Sequence, residues 1–278
     1  MKLRIINNYQ QQLFPYAYNI LGSVDDAMDA IQEVITKYLV NQNQEIENEL
    51  GYLIKGVINQ SINIKKRNQK KVDDKIWLPE PIAPESSDAN INREEIISYS
   101  MLVMLEKLNP KERAVFILKE AFDYSHEEIA KALTFTIENS RKILSRAKKT
   151  LANTNLAIKP SAAPDPLFLQ KYISLIKAGN VQELEKTLSH DMIVKTDGGN
   201  VSIVNELTIG LRDSMELMLY VFNTYQKDFT IIESIINHQP ALLFYNNGQL
   251  VNCQIFELNS NGTKVKAIYS IVNPTKLF

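Results

Sequence analysis

A chain of 278 residues is long enough for two or three modules with cores of their own, and a formal net charge of −1 gives no global pull toward nucleic acid or an acidic surface. Cys253 is the only cysteine, which excludes a disulfide framework or a thiolate zinc site within one chain and fits a reducing cytoplasm. The opening MKLRIINNYQ has no apolar signal-peptide core, and no apolar run approaches the roughly 18 residues that span a bilayer, so a soluble cytoplasmic protein without membrane contact is expected.

Within residues 13–39 the apolar Leu13, Ala17, Ile20, Leu21, Ala27, Ala30, Ile31, Val34, Ile35 and Tyr38 recur at spacings of three and four, which predicts helices that bury one face. Gly22 and Ser23 break the pattern, and Ser23 with Asp26 three residues on makes a capping-box-like start for a second helix. A third helix is predicted over residues 50–66. The stretch WLPEPIAPESSDAN at 77–90 then reads as a linker stiffened by Pro79, Pro81 and Pro84. Helical periodicity resumes over 94–151, and IKPSAAPDP at 158–166 is a second proline-rich break. Residues 167–189 predict two helices parted by Gly179 and Asn180. Beyond them the β-rich runs MIVKT, FTIIESII, ALLFY, VNCQIFEL and VKAIYSIV, separated by DGGN, NNG and NSNG turns, predict an α+β domain. No period repeats along the chain, which argues against a solenoid.

The near-neutral sum conceals local charge. In SHEEIAKALTFTIENSRKILSRAKKTL, residues 125–151, Ser125 and Glu128 cap a helix that buries Ile129, Ala130 and Leu133. A second helix from about Thr136 is expected to bury Ile137, Leu144, Ala147 and Leu151 and to turn Glu138, Asn139, Arg141, Lys142, Ser145, Arg146, Lys148 and Lys149 outward or to its flanks. Two short helices, a tight connection and a basic second helix are the composition of a helix-turn-helix, whose second helix enters the major groove. A charged face on an ordinary helical hairpin would share the pattern. A second basic segment favours DNA: residues 50–71 carry Lys55, Lys65, Lys66, Arg67, Lys70 and Lys71 and no acid. The preceding helix instead carries Asp25, Asp26, Asp29 and Glu33 in its first turns, where they suit the helix dipole or a basic partner.

These residues carry a resemblance. LFPYAYNILGSVDDAMDAIQEVITKYL with GYLIKGVINQSINIKKRNQKK resembles region two of an extracytoplasmic-function (ECF) sigma factor, and LEKLNPKERAVFILKEAFDYSHEEIAKALTFTIENSRKILSRAKKTL resembles region four. WLPEP and the C-terminal extension are similar to the ECF41 and SigJ-like groups. The resemblance implies a multi-domain protein, with two all-α sigma domains followed by an α+β SnoaL-like or NTF2-like cone. The implied boundaries are region two at 1–71, a linker at 72–95, region four at 96–153, a second linker at 154–166 and the regulatory domain at 167–278. It implies that Asp26, Asp29, Gln32 and Glu33 dock on the β′ clamp helices of core RNA polymerase, with the β flap as a further contact. Lys55, Asn59, Asn63, Lys65, Lys66 and Arg67 would meet the minus-ten element of promoter DNA. Thr136, Glu138, Asn139, Arg141, Lys142, Ser145, Arg146 and Lys149 would meet the minus-thirty-five element. No cofactor, metal or catalytic residue is implied.

In the C-terminal region the resemblance implies regulatory contacts through Trp77, Leu78, Pro79, Glu80 and Pro81 of the linker, Asp197, Gly198 and Gly199 of DGGN, and Asn273, Pro274, Lys276 and Leu277 of NPTKL. Asn200 and Thr275 stand where the family pattern has glycine and aspartate. By residue type alone, DGGN is a tight turn and Asn273-Pro274 a chain reversal. Acidic residues outnumber basic ones from residue 160 on. Two alternatives accompany this reading: a helix-turn-helix regulator without polymerase, and a sigma-like protein whose tail binds or converts a small-molecule ligand. For conversion the proton-transfer candidates are His190, Asp191, Asp197 and His238, and an enzyme is not expected.

Overall fold

The computed structural model describes residues 2–40, 46–69, 76–82, 92–151, 167–199 and 206–278. They fall into two compact units, residues 1–73 with 87–158 and residues 74–86 with 159–278. Lys70, Lys71, Pro84, Asn200 and the linker at 154–166 lie outside the described residues.

The first unit is helical. Helices α1 (Lys2–Leu21), α2 (Val24–Val40) and α3 (Glu49–Gln69) pack around Leu13, Phe14, Ala17, Tyr18, Ile31, Leu53, Val57 and Ile58, all buried. Gly22, at φ 72°, ends α1, and the Ser23 hydroxyl accepts the Asp26 N–H at 3.3 Å to start α2, as the capping pattern predicts. Gly56 lets α3 approach α2 closely, since a Cβ there would stand 2.8 Å from Val34 Cγ1. Four further helices follow: α4 (Tyr99–Leu105), α5 (Pro110–Glu120), α6 (His126–Leu133) and α7 (Ile137–Leu151). Asn109 with Glu112, and Ser125 with Glu128, form reciprocal capping boxes that fix the starts of α5 and α6.

The second unit is one six-stranded sheet carrying helices. Its strands β1 (Leu188–Asp197), β2 (Glu206–Ile209), β3 (Thr230–Ile236), β4 (Gln239–Asn246), β5 (Gln249–Leu258) and β6 (Val265–Ile271) lie in the order β2-β1-β6-β5-β4-β3. The β1–β6 pair is parallel and the other four pairs are antiparallel. Helices α8 (Phe168–Lys177), α9 (Val181–Lys186) and α10 (Leu211–Val221) join the sheet in a core of Phe168, Tyr172, Leu184, Met215, Met218, Phe244, Phe256 and Ile268. Tyr172 meets Phe256 edge-on, with ring centroids 4.9 Å apart. The NNG turn is the β4–β5 hairpin, with Asn247 and Gly248 both at positive φ.

The all-α then α+β order is the one expected from the sequence. Three details differ. β1 begins at Leu188, so the second predicted helix stops at Lys186 and its apolar end enters the sheet. Both β2 and α10 were absent from the sequence expectation: β2 is only four residues long, and the stripe of Met215 and Met218 in α10, continued by Phe222 just after it, lies between β-rich runs. Among the described residues no helix is long and apolar enough to cross a membrane.

Candidate functional site

Three places gather the residues singled out above: the outer face of α7, the surfaces of α2 and α3, and the segment around Trp77. In the first, Thr134 takes a left-handed conformation at φ 58°, and the Phe135 N–H donates to the Ala130 carbonyl at 2.9 Å, which closes α6 in a tight turn. The Thr136 hydroxyl then accepts the Asn139 N–H at 3.2 Å and starts α7. Ser140, Ile143, Leu144, Ala147 and Leu151 form the buried stripe. Thr136, Glu138, Asn139, Arg141, Lys142, Ser145, Arg146 and Lys149 are all exposed. Ile137, expected inside, is 36% exposed, because at the first position of α7 it lies beyond the covered stripe, and Ile143 takes the inward role.

Not all of these cations are equally available. Arg146 pairs with Glu112 at 3.5 Å and Lys148 with Glu120 at 2.8 Å, both on α5. Arg141, Lys142 and Lys149 make none of the ion pairs found among the described residues. His126 Nδ1 lies 3.0 Å from the hydroxyl of Ser140, tying the start of α6 to the inner face of α7. Burial lowers its pKa, and Arg141, Lys119 and Lys148 lower it further, which marks the positive field around this motif.

On α2, Asp29 and Gln32 are exposed. Glu33 is exposed but accepts from Lys37 at 2.5 Å and from the Gln60 amide. Asp26 is half-buried and accepts from Asn68 at 2.8 Å; burial and then Asp29 raise its pKa, against the pull of Lys65, Arg67 and Asn68. Along α3, Lys55, Asn63, Lys66 and Arg67 are exposed. The Asn59 amide donates to the Lys55 carbonyl at 2.8 Å and to the Ala132 carbonyl of α6 at 3.1 Å.

Lys65 corrects the sequence expectation. It is 6% exposed rather than on the outer face expected to meet DNA, because it falls on the buried stripe of α3 together with Ile58 and Ile62. Its ammonium donates to both carboxylate oxygens of Glu106, at 2.8 and 2.9 Å, and to the Leu21 carbonyl at 2.9 Å. Glu106 also accepts from Arg113, which is fully buried and whose Nε donates to the Asn19 carbonyl at 3.0 Å. Burial, then Arg113, lowers the Lys65 pKa to about 8, with Glu106 resisting. For Glu106 burial acts upward, but Arg113 and Lys65 together outweigh it and hold the carboxyl below its ordinary value. Nearby, Tyr16 of α1 stacks on Phe122 at 4.0 Å, and its hydroxyl lies 3.3 Å from that of Tyr124. The first three helices and the next four are thus tied by charge, hydrogen bonds and rings.

The third place lies in the C-terminal unit, where residues 76–82 form a docked strap. Asp197 ends β1, and its carboxylate accepts from the Leu78 N–H at 2.8 Å and the Gly199 N–H at 2.9 Å. Lys276 reaches the same carboxylate at 2.6 Å and the Leu78 carbonyl at 2.6 Å, and its ammonium stands 4.3 Å from the Trp77 ring centroid. The side chains of Lys276 and Asp197 are 7% and 2% exposed. At the far end of the strap the Ile82 N–H donates to Asn237 at 3.0 Å. Leu78, Pro79 and Pro81 are buried, while Glu80 is half-buried. Gly199 takes φ +61°, and a Cβ there would sit 2.5 Å from the Asn273 side chain. Gly198 is buried and Leu277 half-buried, while Pro274 is exposed at the start of a 3-10 turn. Of the residues of WLPEP, DGGN and NPTKL, Trp77, Leu78, Asp197, Gly199, Asn273 and Lys276 are therefore joined in one cluster.

Residues 99–151, from the first residue of α4 to the last of α7, match the family model for sigma-70, region 4. Over 277 residues the chain is 21% identical to the probable ECF RNA polymerase sigma factor SigI of Mycobacterium tuberculosis, covering 97% of this chain and 92% of that protein. Over 254 residues it is 25% identical to the ECF RNA polymerase sigma factor SigJ of the same species, covering 88% and 77%. The crystal structure of that SigJ has the same fold, with a TM-score of 0.76 at 19% identity, covering 99% of this chain and 97% of the other. The chain is thus similar to ECF sigma factors over nearly its whole length, and to sigma-70 region 4 over α4–α7.

The four proton-transfer candidates do not converge on one centre. His190 and Asp197 lie toward opposite ends of β1, Asp197 is committed to the strap, and His238 sits in the β3–β4 turn at φ 64°. His190 lines a cleft of about 570 Å³ with Glu185, Ile209, Arg212, Met215 and Glu216. Among the described residues no group of three His, Cys, Asp or Glu could hold a metal. Sequence reasoning missed Glu106, Arg113, Asn19 and Asn237. The signal for the first two was a charge set in apolar surroundings, in MLVMLEKL and ERAVFIL.

Proposed function

We propose that this chain is an ECF-type sigma factor that binds core RNA polymerase and directs promoter-specific initiation. The observation that carries the reading is the coincidence of the region 4 match with α4–α7, whose last helix turns Arg141, Lys142 and Lys149 outward. In this reading α7 reads the minus-thirty-five element, with its first turns at base edges and later cations at phosphates. The exposed residues of α3 meet the minus-ten element, where captured unpaired bases offset lost stacking. Asp29 and Gln32 head the α2 surface for the β′ clamp helices, and region 4 meets the β flap. The catalytic chemistry belongs to the polymerase.

The bond from Asn59 to Ala132 holds α3 against α6. Promoter elements about 25 base pairs apart are separated by roughly 85 Å of duplex. Both cannot be engaged by helices in contact, so the helical unit must open to act. The C-terminal unit and its strap bias that opening. A small-molecule ligand of this unit would lie in the cleft beside His190.

Run-off transcription with purified core polymerase on genomic fragments tests the reading. Discrete starts preceded by a shared pair of elements are expected, and deletion of residues 160–278 should change their yield. Start sites identical with and without the chain would refute it.

A further inference from the structure

Lys65 sits within the cationic row of α3, yet it alone among the described Lys and Arg residues of that helix is buried. Its ammonium is held by both oxygens of one carboxylate, from the segment just after α4. A buried ion pair is a weak source of stability, because desolvation of the charges cancels much of their attraction, and its better attested use is as a switch or a register pin. The local hydrogen bonds support the switch. Two buried cations, Lys65 and Arg113, both bond the carboxylate of Glu106, the half-buried Asp26 carboxylate acts on Lys65 only through space, and Arg113 Nη2 is buried without a hydrogen-bond partner. The cluster therefore holds more donors than its acceptors satisfy, so a further anion would be welcome there. Burial first, and Arg113 second, depress the pKa of Lys65, so its charge is held there at a cost that Glu106 only partly offsets.

We propose that Glu106 is an autoinhibitory stand-in for nucleic-acid phosphate: it occupies Lys65 while α3 rests against α4–α7, and gives Lys65 up to the DNA backbone when the two halves part. This rests on the sigma-factor reading and adds to it the identity of the contact that DNA must displace. Lys65 is then both a member of the promoter-binding surface and the part of it withheld in the resting state.

The test uses the full chain and a fluorescein-labelled oligothymidylate, with binding followed by anisotropy as salt is raised. One additional phosphate contact on single-stranded DNA steepens the dependence of log K on log salt by about 0.7. Glu106→Gln should show that steepening, and adding Lys65→Met should return the slope to that of the parent. Spin labels at Thr36→Cys and Lys131→Cys, two exposed positions, should report a single narrow distance in the parent and a longer, broader distribution in Glu106→Gln. Buried Cys253 stays in place, since burial pushes its thiol up and keeps it unreactive. Should Glu106→Gln lose its helical circular dichroism, Glu106→Asp carries the same test, because it keeps the charge but is too short to serve both cations. An unchanged slope, or a steepening that Lys65→Met fails to cancel, overturns the proposal. Core-polymerase binding is measured on the same variants: if it is intact while the slope is unchanged, the latch alone fails, and if it is absent from the parent chain, the sigma reading fails.

Discussion

Replacing Lys276 by Met tests whether the strap is held by charge or simply by the shape of its groove. The substitution keeps most of the stem but removes the ammonium that bonds Asp197 and the Leu78 carbonyl, each at 2.6 Å, and faces the Trp77 ring. With side chains 7% and 2% exposed, solvent screens this pair little, so the usual discount for surface pairs does not apply. Removing one partner of a buried pair costs about 3–5 kcal/mol, and the lost cation–π contact, at about 1–2 kcal/mol, is contained in that figure. Trp77 is the only tryptophan, so its fluorescence in urea follows the strap directly. For a slope of about 2 kcal/mol per molar, the midpoint should fall by roughly 1.5–2.5 M. Far-UV circular dichroism, dominated by the helical unit, should move much less. Combining Lys276→Met with Asp197→Ala should cost less than the sum of the two by about 2–3 kcal/mol, since the second change removes the orphaned charge. A Trp77 midpoint within about 0.5 M of the parent, or strict additivity, would refute the reasoning.

Gly199→Ala should also loosen the strap's site, because it forces a Cβ into φ +61° and against Asn273; a loss of about 1–3 kcal/mol in the Trp77 transition is expected. The Glu106 carboxyl, held below its ordinary value when folded, contributes stability that is fully present above the unfolded pKa of about 4.3 and lost as pH falls through the folded one. Urea titrations between about pH 5 and pH 3 should therefore show the helical unit weakening with acid, and Glu106→Gln should flatten that loss. Arg141→Ala or Lys142→Ala should relax promoter preference by about 1–3 kcal/mol in competition with scrambled DNA. Lys148→Ala, already paired with Glu120, should weaken all sequences alike, if at all.

How much of this was legible in the sequence depended on how local the cause was. Capping pairs such as Ser23 with Asp26 and Ser125 with Glu128 act within one turn, and they gave the helix starts correctly. The outward face of α7 followed from spacing alone. Ile137 did not, because its exposure depends on where the covering surface ends. Helix α10 was missed since its core residues Met215 and Met218, with Phe222 just beyond its end, form a visible stripe only once a sheet lies beneath them. The inversion of Lys65 had the same origin: composition shows a cation in a basic run, whereas its fate is set by Glu106, 41 residues away. The convergence of Trp77, Asp197 and Lys276 came from resemblance rather than pattern, and Asn237, the strap's other anchor, carried no local signal.

The most direct measurement is equilibrium binding of the fluorescently labelled full chain to purified core RNA polymerase at low ionic strength. Saturable one-to-one binding is predicted, weakened when exposed Asp29 and Gln32 are both replaced by Ala. A chain that binds duplex DNA tightly on its own yet shows no association with the core enzyme under those conditions would contradict the account.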